Sequence, residues 1–233
     1  MRNHAAAGKI GFGINHEMRD FKTGRKKNLD LVICTPGSVN GGKKKKPSFA
    51  ELVKVYDIEL TGNQQTVLAG LPPLPNVPVG SVHVALEAKA AMTAHIRALP
   101  RLYDELNSSH LAIHGAADFA IATGFVVVNF AATFISPKMN PTKRRTAAFE
   151  INTHNQPNDT TRTIDKVMEI PRRTQQGAEG FDALGLVVIE MVNDGSPVKL
   201  VSTPPAPPLG HVLHYDQLIR RVASLYATKF GNI

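Results

Sequence analysis

The chain has 233 residues and 25.2 kDa, and its 42% hydrophobic content suffices to bury a core without disulfides or metal staples. Its one cysteine, Cys34, excludes a disulfide framework and a cysteine-based zinc site. The formal net charge of +8 sits at one end: residues 1–46 hold eleven Lys or Arg against three acids, and the remainder holds sixteen of each sign.

No stretch approaches the ~18 apolar residues of a membrane span, and residues 1–7 lack the apolar core of a secretory signal. The expectation is a soluble cytoplasmic protein, with Cys34 a small buried side chain in a reducing compartment. Residues 8–13 have the glycines of a phosphate loop but neither its Gly-Lys-Ser/Thr ending nor a preceding strand, and read as a flexible N-terminal segment. A short helix is expected over 15–21 and a strand over 29–34. Gly, Lys and Pro then dominate 34–48, 52–60 is apolar without a clear period, and four prolines punctuate 70–80.

Residues 82–89 alternate, with Val82, Val84, Leu86 and Ala88 on one face and His83, Ala85, Glu87 and Lys89 on the other. Spacing turns helical over 90–107, through Met92, Ile96, Leu99 and Leu106, and Pro100 is expected to bend or split that helix. A β-branched run over 125–135 reads as a buried strand, and 136–162 as a polar loop. A strand over 186–192 should turn through Asn193-Asp194-Gly195 into 198–202. The last element is a helix over 215–230, with Leu218, Ile219, Val222, Leu225 and Tyr226 on one face. Strands alternating with helices predict an α/β fold: one domain over 1–233, a central mixed sheet flanked by helices, and loop insertions at about 35–80 and 136–162.

Glu87 and Lys89 interrupt an otherwise apolar strand, two residues apart and therefore on one face, about 6–7 Å from each other. Asp30 similarly interrupts Leu29, Leu31, Val32 and Ile33. Were these strands paired, Asp30 and Glu87 would bring two carboxylates together, a donor set suited to Mg²⁺. Lys89 could then orient or deprotonate a water and stabilise charge developing on a phosphate. The bland reading of Glu87 and Lys89 is an edge-strand ion pair.

These residues resemble the PD-(D/E)xK nuclease superfamily, typified by type II restriction endonucleases. The resemblance is carried by Asp30 within Asn28-Leu29-Asp30-Leu31-Val32-Ile33 and by Glu87 and Lys89 within Val84-Ala85-Leu86-Glu87-Ala88-Lys89, followed by the helix that begins at Ala90. It covers roughly residues 15–135. It implies that Asp30 and Glu87 ligate Mg²⁺, that Lys89 assists the attacking water, and that an acid on the first helix, here Glu17, joins them. The 57-residue separation of Asp30 from Glu87 is longer than the family's commonest spacing, so Asp57 and Glu59 stand as rivals for the first carboxylate.

The basic segments point to a polyanion. Lys43, Lys44, Lys45 and Lys46, with Arg144 and Arg145 farther along, can displace counterions from phosphates. With no tryptophan and 6% aromatics there is little from which to build a stacking platform for single strands, so double-stranded DNA is the expected partner. Asn155 and Gln156, in a polar loop with Asn152, His154 and Asn158, could read base edges. His211 and His214, three apart, read as a surface pair, and Arg97 and Arg101 as phosphate contacts or a wet helix face. The expected function is a Mg²⁺-dependent, sequence-specific DNA endonuclease of bacterial or phage origin. A homodimer would match a symmetric site. The alternatives are a recombination, repair or phage DNA-processing nuclease of the same fold, and a non-catalytic DNA-binding protein.

Overall fold

A computed structural model of the chain describes residues 1–38, 46–140 and 149–233. Along the described residues run α1 (Arg2–Ala6), β1 (Gly11–Arg19), β2 (Lys26–Pro36), α2 (Leu52–Val55), α3 (Gly62–Ala69), β3 (Val79–Ala91) and α4 (His95–Ala116). They are followed by β4 (Ile121–Asn129), β5 (Thr133–Phe134), β6 (Asn152–Thr153), α5 (Asn158–Met168), β7 (Ala183–Glu190), β8 (Lys199–Val201) and α6 (Tyr215–Phe230). The chain is α/β, with a mixed six-stranded sheet in the order β1-β2-β3-β4-β7-β8 and a separate β5-β6 ribbon among the described residues. No helix of the described residues is long and apolar enough to cross a membrane. Two compact units divide the chain: Met1–Glu87 with Leu111–Thr123 and Val222–Ile233, and Ala88–His110 with Gly124–Arg221. Strands β3 and β4 begin in the first and end in the second.

In the first unit, β1 and β2 form an antiparallel hairpin in register from Gly11↔Cys34 to Arg19↔Lys26. The expected helix over 15–21 is therefore a strand, and the segment over 8–13 is not a flexible arm, because Ile10 and Phe12 are wholly buried. A short apolar run satisfies its backbone with whatever partner it finds, and here β2 supplies one along nearly its whole length. The turn is tied by Asp20, whose carboxylate accepts from Lys22 N at 2.8 Å and from the Thr23 hydroxyl, while Gly24 takes φ +72°. The Thr23 hydroxyl, followed by the Lys22 amide, holds the Asp20 carboxyl below its ordinary range. β3 pairs antiparallel with the other edge of β2, from Leu31↔Leu86 to Pro36↔Val79. Val84, Ile121 and Tyr226 form a core cluster flanked by Ile33, Val222, Leu225 and Phe230.

His83 is 3% exposed, stacked on Phe230 with ring centroids 4.5 Å apart. Burial, followed by the neighbouring His4, pushes its pKa down. The unfolded chain therefore takes up this proton near the ordinary 6.5 while the folded chain resists it until a lower pH, so the unfolded state binds more protons in that window. Stability should be intact above the ordinary value and should be lost as pH falls through the folded one. Urea midpoints measured between about pH 8 and about pH 5 should fall less for His83→Phe, which keeps the ring stack, than for the wild type.

In the second unit, Asn129 at the end of β4 is a buried junction. Its side-chain amide donates to Met191 O at 2.8 Å and Met92 O at 3.2 Å, and its oxygen accepts from Ala131 N at 3.0 Å and Met191 N at 3.1 Å. β7 and β8 form the expected hairpin, with Asn193 at φ +65° and Gly195 at φ +92°. The helix expected from Ala90 starts instead at His95, because β3 persists through Ala91 and Ala94 takes φ +50°, a left-handed break. Pro100 lies within α4 and does not divide it. The strand expected over 125–135 ends at Asn129 and began earlier, at Ile121. The expected polar loop contains β6 and the start of α5, a helix that buries Thr160, Thr163 and Val167. The expected insertion over 35–80 carries α2 and α3, the latter opened by a capping box between Thr61 and Gln64.

Candidate functional site

The β2–β3 register positions the first two candidate residues. Leu31 stands opposite Leu86; continued by one residue, the same antiparallel register sets Asp30 against Glu87. Residues so opposed share a face with Cβ atoms about 4.5–5.5 Å apart. Glu87 is 1% exposed, and Asp30 is half-buried. Two facing carboxylates repel, which raises the need for a nearby cation. The Lys27 ammonium meets it, with Nζ 3.6 Å from Glu87 Oε1 and its side chain 21% exposed. At that separation the contact is electrostatic rather than a hydrogen bond.

Lys89 follows Glu87 by two residues on β3, and its Nζ lies 3.1 Å from Glu105 Oε2 on α4. Arg101 Nε, one helical turn before, donates to Glu105 Oε1 at 2.5 Å. Arg101, and then Lys89, hold the Glu105 carboxyl below its ordinary range. Arg101, read from the sequence as a phosphate contact or part of a wet helix face, is thus engaged by an acid on its own helix, with its side chain 83% exposed. Neither Glu105 nor Lys27 was singled out in the sequence. The i,i+4 spacing of Arg101 and Glu105 was a signal for the first, and nothing local was for the second.

Glu17 does not lie on a helix. It stands on β1 opposite Asn28, with half of its side chain exposed and its carboxylate 2.8 Å from Lys26 Nζ. Asp57 and Glu59 are exposed and lie between α2 and α3, on neither β2 nor β3. Among the described residues, no group of three or more His, Cys, Asp or Glu is gathered so that it could hold a metal ion.

Lys43, Lys44, Lys45, Arg144 and Arg145 lie outside the described residues, and Lys46 is exposed. Asn155 is exposed, with its backbone N–H donating to Asp159 Oδ2 at 2.9 Å. The Gln156 side chain is engaged within the fold: Nε2 donates to Asn129 O at 3.2 Å, and Oε1 accepts from the Thr160 hydroxyl at 2.8 Å. His211 Nδ1 accepts from Leu213 N and His214 Nδ1 from Asp216 N, each at 3.2 Å, so both imidazoles bind main-chain N–H groups around the start of α6.

Comparison with known proteins finds no matching family model, no matching curated protein and no matching solved structure.

Proposed function

We propose that this chain is a Mg²⁺-dependent DNA endonuclease of the PD-(D/E)xK kind, a sequence-specific type II restriction enzyme acting on double-stranded DNA as a homodimer in a bacterial or phage-infected cytoplasm. The observation that carries the reading is the β2–β3 register, in which Leu31 stands opposite Leu86 and so leaves Asp30 and Glu87 as the next residues on the two strands, with Lys89 two residues farther along β3. The donor set fits a hard cation: two carboxylates, one of them almost fully buried with the Lys27 ammonium 3.6 Å away. Asp30 and Glu87 would hold the ion, which when bound would lower the pKa of water and polarise the phosphoryl oxygen.

Lys89 is the group that orients the attacking water and stabilises the charge gathering on the phosphorane oxygens. Glu105 holds the Lys89 ammonium at 3.1 Å and so limits its rotamers before substrate arrives. Arg101 keeps Glu105 ionised for that task. Lys27 balances Glu87 in the absence of metal. The basic segment Lys43 to Lys46, with Arg144 and Arg145, supplies phosphate contacts whose strength falls with salt.

Incubation of the purified chain with plasmid and phage DNA tests this reading. Discrete fragments are expected with Mg²⁺ and none with EDTA. Metal-dependent degradation without discrete fragments would move the chain to a repair, recombination or phage DNA-processing role. Metal-independent binding without cleavage would reduce Glu87 and Lys89 to charges that hold the fold.

A further inference from the structure

Two imidazoles of the second unit, the buried His95 and the partly buried His154, are not among the residues of the proposed nuclease site. His95 opens α4 and is 1% exposed, and its Nε2 lies 2.9 Å from Asn129 O. A main-chain carbonyl can only accept, so Nε2 carries the proton and Nδ1 presents a lone pair. His154 follows β6 and is held twice, its backbone N donating to Ala132 O at 2.8 Å and its ring Nδ1 to Ala131 O at 2.7 Å. By the same logic His154 Nε2 presents a lone pair. Both of these bare nitrogens, His95 Nδ1 and His154 Nε2, are buried without a hydrogen-bond partner. The ring centroids are 4.7 Å apart at 82°, a separation at which two nitrogens can each lie about 2 Å from one ion.

Buried acceptors without donors are costly, and two of them side by side need a common explanation. A cation ligated by both lone pairs supplies one. A cavity of about 290 Å³ borders His95, though not His154, and is also lined by Arg97, Asn152 and Asp159. Asn152 Oδ1 is itself buried without a partner. The carbonyls behind each ring are the outer-sphere acceptors that fix tautomer and raise ligand basicity in imidazole metal sites.

We propose that His95 and His154 form a two-imidazole site for a borderline-soft divalent transition metal of the Zn²⁺, Ni²⁺ or Cu²⁺ class, its remaining positions open to water or an anionic oxygen. Nitrogen donors favour this class over Mg²⁺, so the site is chemically separate from Asp30 and Glu87. Two protein ligands leave the ion exchangeable, unlike the closed four-ligand sites that hold structural zinc.

The test is calorimetric titration of the full-length, tag-free, chelator-stripped chain with Zn²⁺, alongside thermal unfolding with and without the metal. His154→Gln is the informative variant, because its amide can still donate to Ala131 O while offering no imidazole nitrogen; His95→Gln, fully buried, is secondary. The expected result is one Zn²⁺ per chain and a Zn²⁺-dependent rise in Tm for the wild type, with affinity lowered about tenfold or more in His154→Gln. A double substitution of His211 and His214 should leave both readouts unchanged. Absence of binding in the wild type, unaltered affinity in His154→Gln, or loss of binding through His211 and His214 would each overturn the proposal.

Discussion

Lys89→Ala is expected to lower DNA cleavage by at least about 100-fold, the scale of a positioned acid–base group, while specific binding of the same duplex is retained. The argument rests on where Lys89 is held. Its ammonium is fixed 3.1 Å from Glu105 rather than projecting freely into solvent, and it follows Glu87 by one strand repeat. Truncation removes a charge proposed to act on the attacking water, so the loss belongs in kcat.

The cost to stability should be small. Lys89 and Glu105 are partly solvated, with side chains 24% and 29% exposed, and such pairs contribute about 0–1 kcal/mol. Glu87→Gln should also abolish cleavage, by a different route: the amide occupies similar space but cannot contribute the second negative charge a divalent ion needs. Metal-free DNA binding should hold or improve, since a negative charge facing a phosphate is removed. Single-turnover cleavage and EDTA-phase binding of both variants separate the two effects. Cleavage by Lys89→Ala at the wild-type rate would falsify the proposed site.

Asp182→Ala should be among the most destabilising single substitutions in the second unit, at about 3–5 kcal/mol, a Tm drop of roughly 10 °C for a chain of this length. Arg173 and Asp182 are 1% and 6% exposed at the side chain, and the guanidinium meets the carboxylate through two bonds, Nε at 2.9 Å and Nη2 at 3.1 Å. Their backbones are tied as well, Arg173 N donating to Phe181 O at 2.9 Å. Removing the carboxylate takes this bidentate partner from an always-charged group inside the protein, and the cost of keeping that charge buried, more than the lost attraction, sets the magnitude. The double substitution Arg173→Met, Asp182→Leu should therefore recover much of the loss. Urea unfolding of the two singles and the double measures the coupling, and additivity of the singles would show that the pair acts as two independent side chains.

Elements whose pattern closes within their own length were legible from residue order. Helix α6 spans Tyr215–Phe230 as its apolar spacing indicates, and the β7–β8 hairpin turns at Asn193-Asp194-Gly195, where left-handed backbone suits Asn and Gly. The alternation through Val82 and Val84 to Glu87 and Lys89 likewise identified β3 and the two charges it carries. In each case the period or the turn chemistry is a property of neighbouring residues, and no distant partner has to be known.

The rest depended on partners far along the chain. Residues 15–19 are strand because β2 lies beside them, and Ala90 and Ala91 stay extended against their own helical preference. Helix α5 turns on buried threonines, Thr160 and Thr163, which carry no apolar stripe to read. Within the candidate site, residue order supplied Asp30, Glu87 and Lys89, but a one-residue slip of β2 against β3 would put Asp30 on the opposite face from Glu87. That register, the approach of Lys27 to Glu87, and the clamp of Glu105 on Lys89 are decided by tertiary pairing. Electrostatic partners are chosen by distance in space, and separation along the chain does not encode that distance until the sheet has formed.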